Sequence, residues 1–353
     1  MPQKVLMKGN EALAEAAIQA GCRHFFGYPI TPQNEISAYM SVRMPEVSGT
    51  FLQVESEIAA INMVLGAAST GARAMTSSSS PGISLKTECI SFIAACDLPC
   101  VIASVQRAGP GLGGIQPAQQ DYFQATKAPG HGGFKMLVYA PSTVQEMMDY
   151  TFASYDAAEK YLMPAMILAD GLVGQMMEPV ELRKAYIKPA DKSWAVGPAK
   201  GFDGRNIINS LYLKAAELEE KVLARERRYA KVISELPQAE TYMTNDADVV
   251  IVAYGASSRI ARSAINEARA EGIKVGLVRP ITLWPFPDKI IKDKAKTAKS
   301  LLVVEMNSGQ MIDDVRLAVE CSLPVNFYGR TAGIVPTPGE VLEAIKKCAG
   351  GER

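Results

Sequence analysis

The sequence predicts an α/β protein of two doubly wound parallel-sheet domains joined by a helical linker. Three observations carry that prediction. Short apolar runs alternate with helical patterns through the first half of the chain; a proline-, lysine- and glycine-rich stretch then breaks the alternation and leads into a charged helical segment; from Asp248 the alternation begins again. Short apolar strands separated by helices are the pattern of a parallel sheet covered on both faces.

The elements follow in order. Asn10 caps a helix, "NEALAEAAIQAG", that Gly21 stops, and "RHFFGY" is a short strand. Thr31 is expected to cap the next helix with Pro32 in its first turn, while Pro29 stiffens the corner before it. The strand "TFLQV" leads to a helix from Ser56 to about Ala68, closed by Gly71. "RAMTS", a serine loop from Ser77 to Gly82 and a helix through Ala95 come next, then "PCVIASV", a glycine-rich loop and "KMLVYAP". A capping box at Ser142-x-x-Gln145 opens the following helix, and "AMILAD" is the last strand of a first domain, residues 1–180. Residues 181–247 form the linker. Within it Leu211, Ala215, Leu218, Val222, Tyr229 and Val232 recur at helical spacing, a stripe expected to pack on the domains or on a partner, with Arg225 interrupting the seam. The second domain, 248–353, is built from "DVVIVAYG", "KVGLVRP", "SLLVVEMN", "PVNFYG" and a final helix from Pro338.

Composition excludes several classes of function. The 353 residues are 48% hydrophobic, enough for a core in each domain. Lysine plus arginine equals aspartate plus glutamate at 37 each, so no excess charge points to nucleic acid or a membrane surface. No apolar run approaches the ~20 residues of a membrane span, and Met1 to Asn10 lacks a signal-type segment, so a cytoplasmic location and a small substrate are expected. The cysteines (Cys22, Cys89, Cys96, Cys100, Cys321 and Cys348) lack C-x-x-C spacing and read as small buried hydrophobes. With His24 and His131 as the only histidines, no metal site is predicted, and His131 in "APGHGG" reads as structural or incidental. Any chemistry must then fall to a carboxylate, an arginine or a borrowed cofactor.

Glu57 is the first candidate. It stands in the first turn of an otherwise apolar helix, where a carboxylate either complements the helix dipole or, held in an apolar corner, hands a proton to a cofactor nitrogen; Glu55 is the competitor. Arg107 ends a buried strand and opens a loop with Gly109, Gly111, Gly113 and Gly114, so it can pair bidentately with a carboxylate or phosphate, or simply with a local acid. "TSSSSPGIS" and "EMNSGQ" also follow strands, and each can bind a polar ligand or only cap a helix. The glycines fit neither a P-loop nor a dinucleotide fingerprint, and "YGASSR" at Tyr254 has one glycine only, which argues against an NAD(P)-dependent oxidoreductase.

Taken together, "GYPITP", the carboxylate in "QVESEIAAINMVLGA", "TSSSSPGISL", "QRAGPGLG" with the downstream "GHGG", and "VEMNSGQ" resemble the α-type subunit of 2-oxoacid:ferredoxin oxidoreductases over almost the whole chain. Within that family the chain looks most like the 3-methyl-2-oxobutanoate (2-oxoisovalerate) enzyme, with the 2-oxoglutarate enzyme next. The resemblance implies a thiamine-diphosphate pyrimidine-binding domain followed by a transketolase-C-terminal-like domain. It implies that Glu57 bonds a pyrimidine nitrogen, with Pro29, Ile30 and Ser80 alongside the cofactor, and that Thr31 and Arg107 meet the substrate's carbonyl and carboxylate. It also implies partners: a β-type subunit holding the diphosphate and Mg2+, γ-type and ferredoxin-like subunits, iron–sulfur clusters on those partners, coenzyme A as acyl acceptor and ferredoxin as electron acceptor. The chain itself has no G-D-G…N pattern and no cluster-binding cysteines, so it is expected to be inactive alone. A non-catalytic assembly subunit is the rival, and it would need neither Glu57 nor Arg107. Gln33 and Asn34 depart from the serines of many relatives and are expected near the substrate pocket. Lys86 and Lys127 are expected to be solvated and distant. That leaves Arg107 as the cation at the site and Ile30, Leu112 and Ile115 to favour an aliphatic substrate tail.

Overall fold

The structure is a computed structural model and describes residues 4–183, 190–196 and 206–350. The first part runs β1 (Lys4–Lys8), α1 (Gly9–Gln19), β2 (His24–Gly27), α2 (Asn34–Glu46), β3 (Thr50–Gln53), α3 (Glu57–Ser69), β4 (Ala74–Ser78) and α4 (Ser80–Ala95). It continues with β5 (Cys100–Gln106), α5 (Tyr122–Thr126), β6 (Leu137–Tyr139), α6 (Val144–Tyr161), β7 (Pro164–Asp170), α7 (Gly171–Gln175) and β8 (Met177–Glu181). After α8 (Ala215–Glu235) come β9 (Ala239–Tyr242), β10 (Val249–Val252), α9 (Gly255–Ala270), β11 (Val275–Pro280) and β12 (Thr282–Trp284). The chain closes with α10 (Asp288–Ala295), β13 (Ser300–Glu305), α11 (Met311–Ala318), β14 (Val325–Gly329) and α12 (Pro338–Gly350).

Two sheets carry the fold. A seven-stranded sheet has the order β12-β6-β7-β5-β4-β2-β3, and a five-stranded sheet has the order β14-β13-β10-β11-β9. Both are parallel inside and antiparallel at one edge, through β12 and β9 respectively. Neither sheet is therefore purely parallel, as the sequence had suggested. β12 was not anticipated: no element was expected between "KVGLVRP" and "SLLVVEMN", yet Thr282–Trp284 leave the second sheet and pair with β6 of the first. A separate two-stranded ribbon joins β1 to β8.

All seven residues of β5 are buried, which follows from helices on both faces. On one face Val101, Ala103 and Val105 meet Leu13, Phe25, Ile36 and Met40. On the other, Ile102 lies with Ile61, Ile83, Ile90 and Met166, and that cluster continues into Val250, Val278 and Val303 of the second sheet. The sheets are also joined by polar contacts. Gln119 Nε2 donates to the Tyr254 carbonyl at 2.9 Å, and its Oε1 accepts from Ser257 Oγ at 2.7 Å and Met306 N at 3.2 Å. Arg279 of β11 donates to both oxygens of Glu146 in α6 at 2.9 and 2.6 Å.

Two local expectations change. The α6 cap is Thr143, whose hydroxyl accepts from Glu146 N at 3.1 Å, while the Glu146 carboxylate turns back onto Ser142 N. The pattern Thr143-x-x-Glu146 matches as well as Ser142-x-x-Gln145, and a carboxylate in the first turn also complements the dipole. The linker stripe packs only at its end: Tyr229 and Val232 are buried, whereas Leu211, Leu218 and Val222 are exposed and Arg225 pairs with Asp97. Part of the expected proline-rich linker, 184–189 and 197–205, lies outside the described residues; between them Trp194 packs on the first core and Val196 N donates to the Ser69 carbonyl. Among the described residues no helix is long and apolar enough to cross a membrane.

Candidate functional site

Parallel strands send their carboxyl ends to one edge, and in the order β5-β4-β2-β3 that edge brings Arg107, the serine loop, the "YPIT" corner and Glu57 side by side. His24 opens β2 and therefore sits at the opposite edge. His131 is exposed on its loop; Ser91 Oγ donates to its carbonyl at 2.8 Å, which is a structural role.

Glu57 is the first residue of α3, behind the cap Ser56, whose Oγ accepts from Ala59 N at 3.2 Å. The side chain is only 7% exposed, and its carboxylate makes no hydrogen bond among the described residues. Glu55 is exposed, so of the two acids it is Glu57 that is built into the wall. Across from it stands Gly82, in the first turn of α4: a Cβ there would lie 2.7 Å from Glu57 Oε1 and 2.1 Å from Ser78 Oγ. Only the missing side chain lets the carboxylate and the serine loop approach this closely.

Behind Glu57 lies Lys86, which is neither solvated nor distant. It is fully buried, and its Nζ donates to the Glu57 carbonyl at 3.1 Å and to Thr76 Oγ1 at 3.2 Å. Burial drives its pKa down to about 8, against the charge of Glu57, which favours the ammonium. A signal was available in the sequence: Gly82, Ile83, Lys86, Ile90 and Ile93 share one helical stripe, so the lysine faces the core. Lys127 is the less surprising of the pair, half-exposed and ion-paired with Asp314.

Thr31 is not the cap of α2. The helix begins at Asn34, behind Gln33, which caps nothing through its side chain. Gln33 is fully buried instead and supports the corner from beneath: its Nε2 donates to the Tyr28 carbonyl at 3.2 Å and its Oε1 accepts from Ser77 Oγ at 2.6 Å. This places Gln33 away from the expected substrate contact. Asn34 is exposed, and its Nδ2 donates to Thr31 Oγ1 at 3.4 Å. Freed from capping, the Thr31 hydroxyl lies half-buried at the edge, with Ile30 half-buried and Pro29 exposed beside it.

Arg107 is 8% exposed and has found no acid: among the described residues it makes no ion pair. Its Nη1 donates to the Thr31 carbonyl at 3.1 Å, its Nη2 to the Leu112 carbonyl at 3.3 Å, and its Nε has no partner. Its backbone N–H donates to Ser80 Oγ at 3.1 Å, and that hydroxyl donates to Asp121. Asp121 had no sequence signal. Burial raises its pKa to about 6, against the Ser80 hydrogen bond and the Arg107 charge. The loop after Arg107 turns back on Gly113, whose φ is +58° and where a Cβ would strike the Ala108 carbonyl oxygen at 1.9 Å. Leu112 and Ile115 at its tip are 84% and 59% exposed.

The two serine and glutamate loops separate in role. Glu305 is buried and caps α11, accepting from Gln310 N, Met311 N and Ile312 N at 3.2, 2.9 and 3.2 Å, so "EMNSGQ" is a helix-capping loop. In "TSSSSPGIS", the Ser78 and Ser79 hydroxyls are buried without a partner at the head of α4. Unmade hydrogen bonds at that depth cost ~1–3 kcal/mol each, and the Ser78 hydroxyl shares the space around Gly82 with the Glu57 carboxylate.

Residues 15–239 match the family described as pyruvate flavodoxin/ferredoxin oxidoreductase, thiamine diphosphate-binding, and residues 247–341 match pyruvate:ferredoxin oxidoreductase core domain II. The chain is 47% identical to the ketoisovalerate oxidoreductase subunit VorB of Methanothermobacter thermautotrophicus, over 98% of each chain. It is 34% identical to the 2-oxoglutarate synthase subunit KorA of Methanothermobacter marburgensis, over 98% of this chain and 99% of that one. A solved 2-oxoglutarate:ferredoxin oxidoreductase from Magnetococcus marinus, with 2-oxoglutarate, coenzyme A and succinyl-CoA bound, superposes with a TM-score of 0.89 at 27% identity; 99% of this chain is covered, but only 66% of that one. The chain therefore belongs to the 2-oxoacid:ferredoxin oxidoreductases, an oxidoreductase subunit carrying the family's thiamine-diphosphate-binding domain and its core domain II.

Proposed function

We propose that this chain supplies the pyrimidine-facing wall of a thiamine diphosphate site and the carboxylate-binding arginine of an enzyme that oxidatively decarboxylates 3-methyl-2-oxobutanoate. The products are the acyl-CoA, CO2 and reduced ferredoxin. The observation that carries this is the Glu57 carboxylate, buried and unpartnered across from Gly82. The residues present fit the pyrimidine: an acceptor at Glu57, orphan hydroxyls at Ser78 and Ser79, and Ser80, Pro29 and Ile30 along the same edge. Bound there, thiamine diphosphate would supply a carbon nucleophile for the 2-oxo carbon. Glu57 holds a proton at a pyrimidine nitrogen, the relay that activates the cofactor. Arg107 turns its guanidinium from two carbonyl oxygens to the oxoacid carboxylate, and Thr31 Oγ1 donates to the carbonyl.

Substrate choice follows from charge. Beyond the carboxylate common to all 2-oxoacids, 2-oxoglutarate carries a second, which needs a cation once buried. Lys86 is committed behind Glu57, and the loop tip offers Leu112 and Ile115. The greater identity to a ketoisovalerate oxidoreductase subunit than to a 2-oxoglutarate synthase subunit supports the same choice.

Within this reading residues 1–180 are the pyrimidine domain, 181–247 the link and 248–353 the transketolase-C-terminal-like domain. The diphosphate and Mg2+ fall to a β-type subunit, and the iron–sulfur clusters to γ-type and ferredoxin-like subunits. Leu52, Ile58 and Leu85 are exposed around Glu57, an apolar face of the kind a partner covers. The test is an assay of the assembled enzyme against a panel of 2-oxoacids with coenzyme A and ferredoxin. A higher kcat/KM for 3-methyl-2-oxobutanoate than for 2-oxoglutarate is expected; the reverse order would overturn the substrate and leave the thiamine chemistry standing. Glu57→Gln should assemble normally and lose turnover by orders of magnitude, because an amide fills the volume without exchanging the proton.

A further inference from the structure

An enclosed ammonium carries a solvation penalty that a hydrophobe at the same helical position would avoid, so Lys86 is poorly explained by packing alone. Its neighbours on the buried stripe of α4 are Ile83 and Ile90. Its Nζ reaches across two elements, donating to the carbonyl of Glu57 at the start of α3 and to Thr76 Oγ1 on β4. It thus holds the very turn from which the Glu57 side chain projects. The titratable groups facing it are Glu57 from α3 and Cys89 from its own helix, and β4 presents only the neutral Thr76. Burial, opposed by Glu57, keeps the ammonium's pKa at about 8, so the charge is present at neutral pH and fades above it.

Resting on the reading of Glu57 as the pyrimidine-facing carboxylate, we propose that Lys86 is a positioning residue for it: the ammonium clamps the first turn of α3 to β4 and keeps a positive charge behind the carboxylate. The clamp fixes where the carboxylate meets the ring nitrogen. The charge sets a positive field behind the carboxylate on the side away from the ring nitrogen.

The experiment uses the complex assembled with its partner subunits, in wild-type form and as Lys86→Met, Thr76→Val and Glu57→Gln. Turnover is followed from neutral to alkaline pH, and thiamine diphosphate affinity is measured separately by calorimetry. Wild-type turnover should fall along an alkaline limb centred at about 8. Lys86→Met should lose ~10–100-fold in turnover, the worth of one charge-assisted hydrogen bond, together with cofactor affinity and the alkaline limb, while KM for the oxoacid stays the same. In Thr76→Val the ammonium keeps one acceptor fewer, and the limb should move to lower pH. Lys86→Met with wild-type turnover, or with lower turnover but an unmoved limb, would overturn the proposal. If Lys86→Met does not assemble, an unmoved limb in Thr76→Val overturns it. Glu57→Gln separates the two readings: near-normal turnover there removes the role of Glu57 and this proposal with it, whereas a dead Glu57→Gln beside a normal Lys86→Met removes this proposal alone.

Discussion

Arg107 spends its hydrogen bonds on two backbone carbonyls and leaves Nε empty, so a planar anion could replace neutral acceptors with charged ones. Such an exchange is favourable because hydrogen bonds to charged groups contribute ~1.5–3 kcal/mol, above a neutral pair. Arg107→Lys keeps the charge but loses the fork, and is expected to raise KM for the oxoacid about tenfold or more while thiamine diphosphate affinity holds. Oxoacid kinetics that do not change would count against the assignment. At this scale the sequence was legible where residue type and position coincided: Arg107 and Glu57 each stand beside a strand end, where a charge is conspicuous. It was not legible at Lys86, expected to be solvated and distant from the motif residues although its helical phase points inward. Asp121 was invisible because its link to Ser80 joins residues far apart in sequence.

Among the elements, α3 and α4 meet at Gly82, and the meeting is adjustable in energy but not in geometry. Alanine in place of glycine favours a helix by roughly 0.5–1 kcal/mol. The atoms a new Cβ would strike, Ser78 Oγ and the Glu57 carboxylate, are side-chain ends that can move aside. Gly82→Ala should therefore leave the melting temperature nearly unchanged while thiamine diphosphate affinity and turnover drop at least tenfold, since the carboxylate is what moves. A variant that unfolds, or one that keeps both, would contradict this. The alternation of strands and helices was readable because parallel strands are continuous apolar runs. Helix starts were less so. At α2 a threonine–proline pair that looks like a cap belongs to the corner before the helix, and at α6 two overlapping capping patterns differ by one residue.

Across the molecule, Gln119 is the buried joint between the two sheets. Gln119→Ala would leave the Tyr254 carbonyl, Ser257 Oγ and Met306 N without it, at ~1–3 kcal/mol for each group left unpaired. Lower thermal stability is expected, with faster amide exchange at Met306 and Ser257 before strands such as β5 open; uniform exchange rates would mean the joint is not there. Contacts of this kind were not readable in advance, because a glutamine in a loop has no periodicity to place it. The strand β12 has the widest reach. It is spelled in the second half of the gene but lies on the rim of the first sheet, so the apparent seam near residue 247 is not a place where the chain can be cut. A fragment ending there would expose the unpaired backbone of β6 and invite intermolecular pairing, and a chimaera joined there would inherit a foreign rim strand. Shuffling of these modules, in the laboratory or in evolution, has to carry Thr282–Trp284 along with the front half of the protein.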